Sequence, residues 1–477
     1  MEGQVRTLQQ MALRKLALNL WNAFLAESGP SLTLTQDQLE FAINKVQDKV
    51  PLIGLPRSIT GKLIKEITPI GVEIRRWRKY HRLLIPSQVS RNALNQLCWT
   101  SQGTVDYRKT AEGLIRQEHV DDFNGYKLSC LYCFEDDIRK FWSKIPENCK
   151  RLYYSENTPL RDLDRRQVNL IQVWSHFLEG DTNLLMDENE DEPQRIFQYA
   201  FKRAAYSGNK AATEYFFQKL TDLQKEVCLV KTAQRVIRKR VHHVFIKPQH
   251  RFPRKKFCDV LIYLLSQMSE VKQIEVFKKR PGGTLICFLD WPWQDLFFKV
   301  AGHLWPFLSS RECQEVLYRL SINRKHPEYN YESIFGEFFP TAYGLYRNDF
   351  INNLWHWHEP WFPGLFLSDM RECIKLVLGS LSAAEREGFI VSDCGVSLCW
   401  MLLVEEKWFL LELFVKECTL SKEAKIELKD SLREEWEIGD RIGDWEKFLQ
   451  VMDNLDGSAS NKRFIEESET EQPNKKR

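Results

Sequence analysis

Residues 200–220 read "AFKRAAYSGNKAATEYFFQKL". A small pair, Ala204-Ala205, is followed by Gly208-Asn209 and then by Phe216-Phe217. Small side chains let two helices approach closely, and glycine accepts the positive φ that reverses a chain between them. The stretch predicts two short antiparallel helices with their turn at Gly208.

The same order occurs 75 residues earlier without a gap, in "YKLSCLYCFEDDIRKFWSKI" (126–145). Tyr126 aligns with Phe201, Ser129-Cys130 with Ala204-Ala205, Phe141-Trp142 with Phe216-Phe217, and Ile145 with Leu220. Cys133 falls on Gly208. Weaker copies are expected at "AYGLYRNDFINNLW", with Tyr346 on the glycine position, and at "MLLVEEKWFLLELF", with Glu405 there. The four small or apolar pairs begin at 129, 204, 342 and 401, so the spacing is irregular.

The 200–220 unit resembles an ankyrin repeat in its small pair, its glycine and polar residue, and its closing apolar pairs. The opening Thr-Pro-Leu-His of that family is replaced by Tyr199-Ala200-Phe201-Lys202. The resemblance implies stacked helix pairs that bind another protein through an extended face. The expected architecture is an all-α, irregular helix-pair repeat solenoid. A helical N-terminal region (1–104) precedes degenerate repeats (105–435), a terminal helix (436–453) and a disordered tail (454–477). The tail "NLDGSASNKRFIEESETEQPNKKR" has too few apolar residues to offset the entropy of ordering.

Two amphipathic helices are expected within residues 1–50, the first presenting Leu8, Met11, Ala12, Leu16, Leu20 and Phe24. Helical segments broken around Pro69 should follow. "KRPGGT" (279–284) reads as a loop.

The chain has 477 residues, 43% of them hydrophobic, which is enough for an extensive core. A formal charge of only +3 gives no global pull on polyanions. The twelve cysteines are scattered, many in apolar surroundings, and read as reduced core residues. No signal-peptide pattern opens the chain, and its longest apolar run, 396–404, is too short for a bilayer. An intracellular protein is expected, in the cytoplasm or the nucleus.

Motifs for chemistry are sparse. No phosphate-binding glycine loop, GxSxG or HExxH occurs, and the reading is of a non-catalytic protein without cofactor or metal. Cys130 and Cys133 form one CxxC, but zinc needs a second ligand pair, and the alignment places both cysteines at packing positions. His356 and His358 would share a face only on a strand.

Two basic stretches stand out, 231–256 and "RRWRKYHR" at 75–82. They suit a protein partner or, as the alternative, a nucleic acid, with Trp77 and Tyr80 stacking on bases. Partner contacts are expected at Arg238, Lys239, Arg240, Trp355, Trp357 and Trp361, because Arg and Trp dominate interface energetics. The sequence thus favours a protein-interaction scaffold.

Overall fold

The computed structural model describes residues 8–28, 36–81, 96–116, 120–153, 165–180, 194–242, 256–322, 331–353, 361–437 and 445–452. Their fold is all-α, and the one β pairing among them is an isolated bridge between Trp99 and Val105. Two compact units meet in sequence at Glu312 and Cys313. That division lies inside the stretch expected as one repeat array, and the first unit includes the N-terminal helices. The expected terminal helix is represented by residues 445–452, while the 454–477 tail lies outside the described residues. No single helix among the described residues is long and apolar enough to cross a membrane.

The first unit opens with α1 (Leu8–Glu27), α2 (Gln36–Asp48) and α3 (Arg57–His81), which pack pairwise. The buried face of α1 is Leu13, Arg14, Ala17, Trp21, Phe24 and Leu25, while Leu8 and Met11 are exposed. The expected stripe was therefore rotated, because this helix is apolar on most sides and its periodicity is weak. Pro69 lies inside α3, which continues through it. Residues 67–71 are all buried. Trp21 Nε1 donates to Ile67 O at 2.8 Å, and a Cβ on Gly71 would stand 2.3 Å from the Trp21 ring. Packing against α1 thus outweighs the ~3 kcal/mol that an interior proline costs a helix.

The unit continues with α4 (Tyr107–Arg116), α5 (Asp122–Tyr132), α6 (Glu135–Lys144), the single turn α7 (Glu147–Lys150) and α8 (Arg165–Glu179). Next come α9 (Gln194–Ser207), α10 (Lys210–Gln218), α11 (Asp222–His242), α12 (Lys256–Ser266), α13 (Glu270–Lys278), α14 (Pro281–Cys287) and α15 (Phe297–Leu304). The expected loop at "KRPGGT" is instead the start of α14, with Pro281 in its first turn, where a missing N–H leaves no bond unmade. α16 (Ser310–Ile322) carries the chain into the second unit, formed by α17 (Tyr331–Asn353), α18 (Trp361–Leu367), α19 (Arg371–Ser380), α20 (Ala383–Ile390), α21 (Asp393–Val404), α22 (Trp408–Cys418) and α23 (Lys422–Glu437).

One turn recurs four times. Cys133, Gly208, Asp369 and Glu406 all adopt left-handed backbone, with φ of 55°, 75°, 53° and 56°. In each case the following N–H closes on the carbonyl five residues back: Phe134 to Ser129, Asn209 to Ala204, Met370 to Leu365 and Lys407 to Leu402, at 2.8–3.1 Å. This left-handed C-cap satisfies helix-end carbonyls and permits a new helix two residues later. The next helix buries the same register in every copy. Ile138, Phe141, Trp142 and Ile145 correspond to Thr213, Phe216, Phe217 and Leu220, then to Ile374, Val377, Leu378 and Leu381, then to Leu411, Phe414, Val415 and Cys418.

The first two copies are those aligned by sequence. The expected turn at Tyr346 has φ −131° and ψ 32°, a kink within α17 and not a left-handed cap. The expected glycine position at Glu405 is one residue early, since Glu406 carries the positive φ. The copy centred on Asp369 was not foreseen, because Leu365-Phe366 replaces the small pair.

Candidate functional site

Two of these turns touch in the first unit. Asn209 Oδ1 accepts from Ala212 N at 3.1 Å, capping α10. Its Nδ2 donates to Leu131 O at 2.7 Å, reaching the end of α5 in the other copy. Asn209 is buried, so both bonds form away from competing water. Lys219 pairs with Glu135 at 3.7 Å on the exposed side. In the second unit Lys407, also one residue past the left-handed position, donates to Leu367 O at 3.4 Å. Leu131 and Leu367 each lie two residues before a left-handed turn residue.

Beside the Cys133 and Gly208 turns opens a groove of about 810 Å³. One wall is the start of α4, with Asp106, Arg108 and Lys109. Phe134, Asn209 and Lys210 supply the turn side, and α12 contributes Lys256, Asp259 and Tyr263. Tyr80, Tyr107, Tyr132 and Trp293 complete the aromatic lining. The loop that precedes α4 is held from behind by Arg14, whose guanidinium donates to Gln102 O at 2.6 Å and to Glu66 at 2.8 Å.

A buried polar layer lies under the groove. Lys256 Nζ sits 3.3 Å from the centre of the Tyr107 ring and 3.3 Å from Asp259, with Glu73 at 3.8 Å. Burial, then Glu73, raises the Tyr107 phenol well above its ordinary pKa. His81 is buried at the end of α3, with Nδ1 2.8 Å from Trp77 O and Nε2 2.6 Å from the Tyr132 hydroxyl. A carbonyl only accepts, so Nδ1 carries the proton and Nε2 accepts from Tyr132. Burial pushes the His81 pKa down to about 3, the Trp77 carbonyl opposes that shift, and Lys256 adds to it. The imidazole is neutral and joins α3 to α5.

Of the residues expected as partner contacts, Arg238, Lys239, Arg240 and Trp361 are not among those lining the groove. Arg238 and Lys239 are half-buried on α11. Arg240 makes a two-pronged ion pair with buried Asp290, at 2.6 and 2.7 Å. Burial alone would lower its pKa, but the Asp290 carboxylate raises it. Trp361 is 1% exposed and packs among Phe335, Phe339, Phe350 and Phe362. Arg240 and Trp361 are therefore corrected to interior residues, one neutralising a buried carboxylate and the other filling a core. Trp355, Trp357, His356 and His358 lie outside the described residues, as do 243–255 of the basic stretch. Trp77 is also buried, which removes it as a base-stacking surface at 75–82.

Cys130 and Cys133 are buried around the first turn, at packing positions. The groove was not foreseen, because its lining comes from segments between Tyr80 and Trp293. Its turn-side wall was within reach, since the aligned copies place Phe134 opposite Asn209. No family model matches this chain, and no curated protein sequence matches it.

Proposed function

We propose that this chain is a non-catalytic interaction scaffold, an ankyrin-like array of degenerate helix-turn-helix units that holds a peptide segment of a partner protein in the groove beside its first two turns. The observation that supports this reading is the contact between two helix-turn-helix copies within the first unit, Asn209 Nδ2 to Leu131 O, with the groove opening beside their turns. Stacked units present backbone turns at fixed separations, which suits an extended ligand more than a compact one. The groove mixes aromatic rings with polar groups of both signs, a composition suited to side-chain recognition.

Nucleic acid is the less supported occupant. Four carboxylates, Asp106, Glu112, Glu214 and Asp259, line the groove beside four cations, Arg108, Lys109, Lys210 and Lys256. A phosphate backbone repeats its charge at every nucleotide and would run along those acids. Site-specific photo-crosslinking tests the proposal. A crosslinker at Tyr263 or Lys210 should capture a discrete protein partner, whereas one at exposed Leu223, outside the groove, should not. Equal capture from both places would remove the groove from the function.

A further inference from the structure

The charges around the groove are unequal in one respect. Each lining carboxylate already has an internal donor. Asp106 accepts from Lys109 N at 3.0 Å, and Glu214 pairs with Lys210 at 2.7 Å. Glu112 pairs with Arg116, and Asp259 accepts from Lys256 and from Trp293 Nε1. Two cations differ. Arg108 and Lys109 are exposed at the rim, and neither side chain has a carboxylate partner among the described residues.

Arg108 lies over the Phe134 ring at 5.6 Å, which holds its guanidinium beside the turn with its donors available. Lys109 stands next to it on the first turn of α4. The starts of α10 and α12 also border the groove, at Lys210 and Lys256, and helix N-termini favour negative charge. Half-buried rings of Tyr80, Tyr263 and Trp293 offer apolar surface within the same cavity.

We infer that the groove selects an acidic peptide segment, with Asp or Glu side chains reaching Arg108 and Lys109 and a neighbouring apolar side chain lying on the rings. The inference rests on the groove being a peptide site. It adds the chemistry of the ligand: discrete carboxylates at the rim, because the lining carboxylates would repel a continuous polyanion.

The test is selection from a randomised 12-residue peptide display library on the full chain, repeated on three variants. Peptides selected by the wild type should be enriched in Asp and Glu. They should bind Arg108→Glu/Lys109→Glu about tenfold more weakly, with the loss shrinking at high salt. Reversal of exposed Lys15, which does not line the groove, should leave them unchanged. Ala211→Trp, which puts an indole into the groove, should block them.

Peptides blocked by Ala211→Trp but not enriched in acids, or indifferent to the Arg108/Lys109 reversal, would leave the groove as a peptide site and sink the acidic preference. Peptides that ignore Ala211→Trp bind elsewhere and would sink the groove reading. A library that yields no binder would sink both. Displacement of the peptides by single-stranded polyuridylate at lower concentration than by the free acidic peptide would turn the inference over to nucleic acid.

Discussion

Asn209 caps α10 through its oxygen and closes the end of α5 through its nitrogen, with Nδ2 2.7 Å from Leu131 O. One amide thus serves two turns 75 residues apart in sequence. A cap residue ordinarily serves only its own helix. Here the second bond makes the register of one helix pair depend on the other.

Asn209→Ala should destabilise the first unit by about 2–4 kcal/mol. The lost cap accounts for roughly 1 kcal/mol and the buried, unpaired Leu131 carbonyl for the rest. Asn209→Asp keeps the cap oxygen but places a carboxylate against that carbonyl, so it should be no more stable than the alanine variant. Urea unfolding monitored within the first unit measures both. An aspartate variant as stable as wild type would show that the Leu131 bond contributes nothing.

The four left-handed turns predict opposite responses to substitution. Gly208→Ala should cost about 1 kcal/mol, since a Cβ disfavours φ near 75°. Glu406→Gly should stabilise the second unit by about 0.5–1 kcal/mol, because Glu406 is exposed and holds the same conformation at φ 56°. Thermal melting of the two variants checks the pair of signs.

His81 should make the protein less stable as pH falls. Its folded pKa is about 3, below the 6.5 of an exposed histidine, so between those values the unfolded chain binds more protons. Stability from this group is complete above pH 6.5 and declines as pH drops toward 3. Between pH 7 and 5.5 the decline should be about 1 kcal/mol. His81→Phe removes this component, so its urea midpoint should vary less over that interval than the wild-type midpoint.

Arg240→Ala should destabilise by roughly 3–5 kcal/mol, because it leaves the buried Asp290 carboxylate without its cation. Arg240→Ala/Asp290→Ala together should recover part of the loss. Trp361→Ala should cost roughly 3–5 kcal/mol through the cavity left among four aromatic rings. Calorimetry separates these outcomes from those of surface contacts, which would leave the melting transition in place.

Local features were the most legible. The alignment of 126–145 with 201–220 found two turns correctly because a left-handed cap and the apolar positions after it lie within about 20 residues. The same reasoning missed the Glu406 turn by one residue. "MLLVEEKW" has two consecutive glutamates and no glycine, so nothing in the sequence marks which of them takes the positive φ. At Pro69 local propensity favoured a break, and contact with Trp21 overrode it. At α1 the abundance of apolar residues hid the face that packs.

By itself the sequence determined the helical class, the short paired helices and the first two turns, because each depends on backbone preference and apolar spacing over one or two helices. Tertiary structure alone decided which charges are internal and which are available. Arg240 and Arg108 look alike in sequence, yet one faces a buried carboxylate and the other an open rim. It also decided that residues from Tyr80 to Trp293 share one cavity. Charge pairing and cavity formation depend on distances between remote segments, which only chain folding sets.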